Sequence, residues 1–107
     1  MNGEPLRRSI VVTNPQGLHM RPITSFVQVA KTFQSDVEIV KNGERFNGKS
    51  PLTLMGLGAV QGTELVLEVR GQDQDTAMKS LGDLLNELAA HEPPAAQESP
   101  AAPGGGN

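Results

Sequence analysis

Cysteine is absent from the chain. That removes disulfides, thiolate nucleophiles and cysteine-ligated metals from consideration, and it agrees with a reducing cytosol. Tryptophan and tyrosine are absent too, leaving Phe26, Phe33 and Phe46 as the only aromatics. A core must therefore be built mainly from aliphatic side chains, and the aromatic platforms of single-strand RNA binders are missing. No apolar run approaches the ~20 residues of a bilayer-spanning helix. Arg7 and Arg8 are not followed by a long apolar stretch, so no secretory signal is read and a cytoplasmic location is expected. At 107 residues there is room for one modest core and one domain.

What charge there is leans negative. Nine Lys and Arg face twelve Asp and Glu, a formal net charge of −3, which argues against general nucleic-acid binding. The distribution is uneven. Glu64, Glu68, Asp73, Asp75, Asp83 and Glu87 acidify the second half, whereas Arg21, Lys31, Lys41, Arg45 and Lys49 lie in the first. A local positive face on an acidic protein is expected, suited to an acidic partner or an anionic group.

Periodicity divides the chain into seven elements. Leu6 to Val12 is rich in β-branched residues and reads as a strand. Asn14-Pro15-Gln16-Gly17 is turn chemistry. Ile23, Phe26, Val27, Ala30 and Phe33 then fall at helical spacing, predicting a helix from about Met20 to Thr32. Asp36 to Lys41 alternates, and Asn42-Gly43 is a strong signal for a type I′ hairpin turn. Glu44 to Gly48 returns as a short polar edge strand. Ser50-Pro51 combines a good N-cap with a proline suited to the first helical position. Gly56 and Gly58 limit that helix to about two turns. Thr63 to Arg70 alternates as a half-buried strand, with Leu65, Leu67 and Val69 inward. Asp73 or Asp75 caps a last helix whose buried face is Ala77, Met78, Leu81, Leu84, Leu85 and Leu88. Residues 1–91 thus form one domain, and 92–107, rich in Pro, Ala, Gly and Ser, form a tail with nothing to bury, expected to be disordered. The order β-α-β-β-α-β-α with a hairpin predicts an α+β two-layer sandwich: a mostly antiparallel sheet with helices on one face.

His19 sits just before the first helix. The opening turn of a helix has N–H groups with no internal partner and the positive end of the dipole, which together attract anions. Pro22 fits within that turn because its missing N–H costs nothing there. Arg21 adds a guanidinium able to hold a phosphate through two parallel hydrogen bonds. The same positive surroundings favour the neutral, nucleophilic form of the ring. An imidazole beside an oxyanion cradle suits reversible phosphoryl transfer by positioning and electrostatics. A histidine before a helix can also be a plain cap or a solvated turn residue. A metal site is not expected, since His91 is the only other histidine and zinc needs several ligands. No serine or aspartate has a spacing that pairs it with His19 in a hydrolytic dyad. No cofactor is expected.

Gly17-Leu18-His19-Met20-Arg21-Pro22, followed by an amphipathic helix, resembles the active-site signature of the HPr family, the histidine-containing phosphocarriers of the bacterial phosphoenolpyruvate-dependent sugar phosphotransferase system. A second block, Gly48-Lys49-Ser50-Pro51-Leu52-Thr53-Leu54-Met55-Gly56-Leu57-Gly58, resembles the family's regulatory serine segment. Gln61-Gly62-Thr63 also agrees. The resemblance runs from about Leu6 to Leu88. It implies an open-faced sandwich of four antiparallel strands and three helices. It implies a carrier rather than an enzyme: enzyme I phosphorylates His19 on Nδ1, Arg21 stabilises the phosphate, and the group passes to a IIA domain of a sugar permease. It further implies a docking surface of Met20, Thr24, Lys49, Leu52 and Met55, a monomer, and phosphorylation of Ser50 by HPr kinase/phosphorylase. Core packing is the plainer reading of Leu52 and Met55.

Met20, Ile23 and Pro51 depart from the residues most relatives carry, and the tail is an extension most lack. A different kind of reading is a regulatory binding module that kept the fold and the Ser50 switch without a role in sugar uptake. Known regulatory paralogues tend to lose the histidine, and this chain has His19 together with Arg21.

Overall fold

The computed structural model describes residues 4–90; His91 and the tail read as disordered lie outside the described residues. The elements are β1 (Leu6–Val11), α1 (Met20–Ala30), β2 (Asp36–Lys41), β3 (Glu44–Asn47), α2 (Pro51–Met55), β4 (Glu64–Arg70) and α3 (Gln74–Ala90). This is the order the periodicities predict. The strands form one antiparallel sheet in the order β1-β4-β2-β3. The last strand therefore lies inside the sheet, and β1 and the short β3 are its edges. Asn42 and Gly43 take φ of 53° and 81°, the pair of positive values that a type I′ hairpin needs.

All three helices cover one face. Pro22, Ile23, Phe26, Val27 and Ala30 are the buried stripe of α1, and Ala77, Leu81, Leu85 and Leu88 give α3 its own, at four-residue and three-residue steps. Inward side chains of the strands, Ile10, Val37, Ile39, Leu65, Leu67 and Val69, complete the core. Met78 and Leu84, expected on the buried face of α3, only flank this core. Helix α1 stops two residues short of the expected end, and Lys31 and Thr32 form a turn. The start of α3 also differs in detail. The Asp73 carbonyl accepts from Ala77 N at 2.8 Å, but its carboxylate reaches across to the α1–β2 loop, accepting from the backbone of Gln34 and Ser35 and from Ser35 Oγ. Those bonds, the Ser35 hydroxyl first, hold the Asp73 carboxyl below its ordinary value.

On the uncovered face of the sheet Glu68, on the outward side of the alternating strand, is only 7% exposed. The register places Arg7 and Glu38 directly opposite it, on either side. Two opposed carboxylates would destabilise the pairing. Arg45 resolves this by donating to Glu38 at 2.8 Å and also to Glu68, while Arg7 pairs with Glu68 at 3.0 Å. The guanidiniums thus cover the carboxylate they neutralise. Chiefly through the Arg45 hydrogen bond, the Glu68 carboxyl is held below its ordinary value.

A depressed carboxyl stabilises the folded chain fully above the ordinary carboxylate range, and that stabilisation is lost as pH falls through the folded-state value. Asp73 and Asp83 are shifted the same way. The urea midpoint is therefore expected to be flat from about pH 7 to 5 and to drop below about pH 4. In Glu68→Gln the midpoint starts lower and the acid drop is shallower. An unchanged acid drop in the variant would exclude Glu68 as a contributor.

Candidate functional site

The site is built on the loop between β1 and α1. After β1, Val12 N donates to Thr63 O at 2.9 Å and Gly62 N to Val12 O at 2.7 Å, which carries the β1–β4 ladder one step further. Thr13 N and Asn14 N then both donate to Ala89 O, at 3.0 and 2.8 Å. The end of α3 so clamps the start of the loop. Asn14 is buried, and its Oδ1 accepts from Gln16 N at 3.1 Å, an Asx turn that reverses the chain. Asn14 Nδ2 has no acceptor among the described residues, so the side chain acts through its oxygen. Gly17 N closes the turn onto Asn14 O, and Leu18 N donates to Ala59 O.

Gly17 is fixed twice over. Its φ is +72°, and a Cβ there would stand 2.5 Å from Ala59 O. The chain then straightens. His19 takes φ −118° and ψ −164°, and as N-cap its carbonyl accepts from Ile23 N at 3.1 Å. The His19 side chain makes no capping bond. The imidazole is half-buried at the mouth of α1. Helix geometry leaves the N–H groups of Met20 and Arg21 without intrahelical acceptors, and Pro22 has none to leave. Arg21 is exposed at the same turn, while Pro22 and Ile23 turn inward. Among the described residues no cluster of three or more metal-ligating side chains exists, and no helix is long and apolar enough to cross a membrane.

Helix α2 lies beside α1. Ser50 is its N-cap, with Oγ accepting from Thr53 N at 3.2 Å and Pro51 in the first turn. Asn47 leads into it by a second Asx turn, with Oδ1 accepting from Lys49 N at 2.9 Å. Leu54 is the side chain of α2 that enters the core, where it lines a small apolar cavity with Leu18, Pro22, Ile23 and Phe26. Leu52 and Met55 consequently face outward, 82% and 48% exposed, and Met20 is 56% exposed. Core packing is thus the wrong account of Leu52 and Met55. Val60, which sequence reading missed, is 66% exposed and adjoins Gly17. It lies in a loop with no periodicity to mark it.

The expected positive face does not form as one surface. Arg45 is committed to Glu38 and Glu68 on the uncovered side of the sheet. Lys41 Nζ donates to Leu57 O at 2.8 Å, tying down the end of α2. Lys49 Nζ donates to Phe33 O at 2.8 Å, so its ammonium serves the fold as well as any docking role. Lys31 is at the far end of α1, about 16 Å from its start by helical rise. Arg21 stays at the mouth. Thr24, exposed, spends its hydroxyl proton on Met20 O at 2.9 Å, which leaves it an acceptor and a methyl group to offer.

The model of the family described as "PTS HPr component phosphorylation site" matches residues 6–87. The phosphocarrier protein HPr of Neisseria meningitidis serogroup A is 46% identical over 81 residues, covering 76% of this chain and 91% of that protein. A solved HPr of Thermoanaerobacter tengcongensis superposes with a TM-score of 0.73 at 35% identity, covering 82% of this chain and 99% of the other. A mycoplasma histidine-containing phosphocarrier protein gives 0.75 at 27% identity, covering 82% and 100%. The chain belongs to the HPr family, phosphocarriers of the phosphotransferase system.

Proposed function

We propose that the chain accepts a phosphoryl group on His19 from phospho-enzyme I and delivers it to a IIA domain of a sugar permease. The single observation carrying this reading is His19 as N-cap of α1, beside two helix-start N–H groups and Arg21. In the transfer, a neutral ring nitrogen, Nδ1 by the family resemblance, attacks phosphorus. A P–N bond forms as the bond between phosphorus and the donor breaks, and the donor keeps the electron pair. The amides of Met20 and Arg21 and the Arg21 guanidinium meet the charge on the phosphoryl oxygens. A phosphoramidate keeps a strong tendency to pass its group on, so delivery is the same step run toward a new nucleophile. One guanidinium and one helix start hold the phosphate moderately, which keeps both directions accessible. Met20, Thr24, Leu52 and Met55 form the docking rim, with Lys49 at its edge. The reading is tested with enzyme I and labelled phosphoenolpyruvate. The label should be acid-labile, base-stable and removed by adding a IIA domain; an acid-stable label would point to another acceptor.

Ser50 adds a switch to the same face. Phosphorylation by HPr kinase/phosphorylase would place about two negative charges at a helix start, where they do not unfold α2. The added charge lies beside Leu52 and Met55 and disfavours an acidic partner. Ser50→Asp keeps an N-cap oxygen, so its melting temperature should stay near that of the parent. Its half-saturating concentration toward enzyme I should rise about tenfold, equivalent to ~1.4 kcal/mol. Ser50→Ala should do the reverse, losing about 1 kcal/mol of stability with the cap while leaving docking unchanged. Equal docking by all three proteins would remove Ser50 from the regulation.

A further inference from the structure

The acceptor loop rests on the irregular stretch between α2 and β4, and hydrogen bonds hold it there along its length. Gly62 and Thr63 bond to Val12, Gln61 Nε2 donates to Thr13 O at 3.2 Å, and Leu18 N donates to Ala59 O at 2.9 Å. The last of these adjoins His19, so the place of the Ala59 carbonyl sets where the ring is aimed. Ala59 is fixed in its turn from the preceding side. Lys41 Nζ donates to Leu57 O at 2.8 Å and to Gly58 O at 3.3 Å. We propose that Lys41 is a positioning residue for phosphoryl transfer. Its ammonium locks residues 57–58, and through Ala59 and Leu18 that lock keeps His19 aimed, an inference that rests on the carrier reading above.

The geometry suits a lysine to this task. Lys41 is the last residue of β2 and pairs with Glu44 across the hairpin, so its backbone is as fixed as the sheet. Its side chain crosses from the sheet to the point where the chain leaves α2 and no further turn supplies donors to the carbonyls. Leu57 and Ala59 are buried on either side of Gly58, which takes φ +63°. The two carbonyls that accept from Lys41 flank the Gly58 α-carbon, and a Cβ there would stand 3.5 Å from Nζ. The ammonium thus sits against the left-handed turn itself and holds both of its peptide groups, as a charged donor does more strongly than a neutral one. The next two residues are those that meet the acceptor loop: Ala59 O and Val60 Cα are the atoms nearest the Gly17 α-carbon's open side. Without the ammonium, the shelf under Gly17 and Leu18 would be tied down only from its far end, at Gln61 to Thr63.

Lys41→Met keeps the apolar stem and removes the ammonium, and Lys41→Arg restores a charged donor. With phospho-enzyme I at saturation, single-turnover labelling of Lys41→Met should be about tenfold slower than the parent, as for a nucleophile displaced rather than lost. The half-saturating concentration should change by less than about twofold, because Met20 and Leu52 are not touched by the substitution. Lys41→Arg should recover most of the rate. Amide exchange supplies a readout that a general loss of stability would not give. In Lys41→Met the Leu18 amide should exchange about tenfold faster, while the amides of Leu67 and Val69 in the inner strand β4 change far less. Labelling of Lys41→Met at the parental rate would overturn the proposal. So would equal acceleration of exchange at Leu18, Leu67 and Val69, which would reduce Lys41 to a stabilising contact. Failure of the carrier reading is distinguishable: the parent then takes no label on His19, while the Leu18 amide still loosens in Lys41→Met and tightens again in Lys41→Arg.

Discussion

His19→Ala is expected to reduce acceptance of phosphoryl label from enzyme I to background, while His91→Ala retains it. Phosphoryl transfer here depends on a nucleophile placed where charge on the phosphoryl oxygens is already met. Among the described residues, the ring at the mouth of α1 is the one that combines a ring nitrogen with the helix-start amides and Arg21. Alanine keeps the loop path, since the His19 carbonyl rather than its side chain starts the helix. The variant should therefore fold, with a melting temperature within a few degrees of the parent, as for a half-exposed site outside the core. Arg21→Ala should still be labelled, but about tenfold more slowly, because it removes one of the charge-assisted donors and leaves the nucleophile. Rapid-quench labelling and thermal unfolding of the same preparations separate loss of chemistry from loss of fold. Substantial acid-labile label on His19→Ala would move the phosphoryl group to another residue.

Gly17→Ala acts in the opposite way, on the fold first and on transfer as a consequence. At φ +72° an alanine is strained, and its Cβ would stand 2.5 Å from the Ala59 carbonyl oxygen. The obstacle is backbone, so it cannot swing aside as a side chain would. That carbonyl also receives Leu18 N, the last hydrogen bond before His19. Relief must come from pulling the loop away from residues 59 and 60, which breaks this bond and misaims His19. We expect a loss of roughly 2–4 kcal/mol, the strain of a left-handed non-glycine residue together with the broken contact. In urea denaturation the midpoint should fall sharply, and labelling by enzyme I should slow even below that midpoint. A parental urea midpoint in Gly17→Ala would show that the loop has slack that the geometry denies it.

Features decided locally were readable in the sequence. Asn42-Gly43 needed no distant partner to form its turn, and Ser50 capped α2 because the hydroxyl and the Thr53 amide lie within one helical turn. The apolar stripe of α1 marked its buried side because period alone fixes it. Features decided by distant contacts were not. In a five-residue helix, periodicity cannot choose between Leu52, Leu54 and Met55, and packing against Phe26 chose Leu54. Lys41 and Lys49 looked like surface cations until the loops delivered the Leu57 and Phe33 carbonyls to them. The burial of Glu68 needed the strand order, which sets Arg7 and Arg45 on either side of it. The clamp by Ala89 had no signature at all, since a main-chain carbonyl is the same in every residue.

That clamp bears on the order in which the molecule is completed during synthesis. His19 is synthesised before the parts that fix it: β1 has no strand to pair with until β4 follows, and Thr13 and Asn14 lack the Ala89 carbonyl until α3 is made. A nascent or prematurely terminated product would own the imidazole without the scaffold that aims it. The topology thereby ties the aim of that ring to completion of the last strand and the last helix.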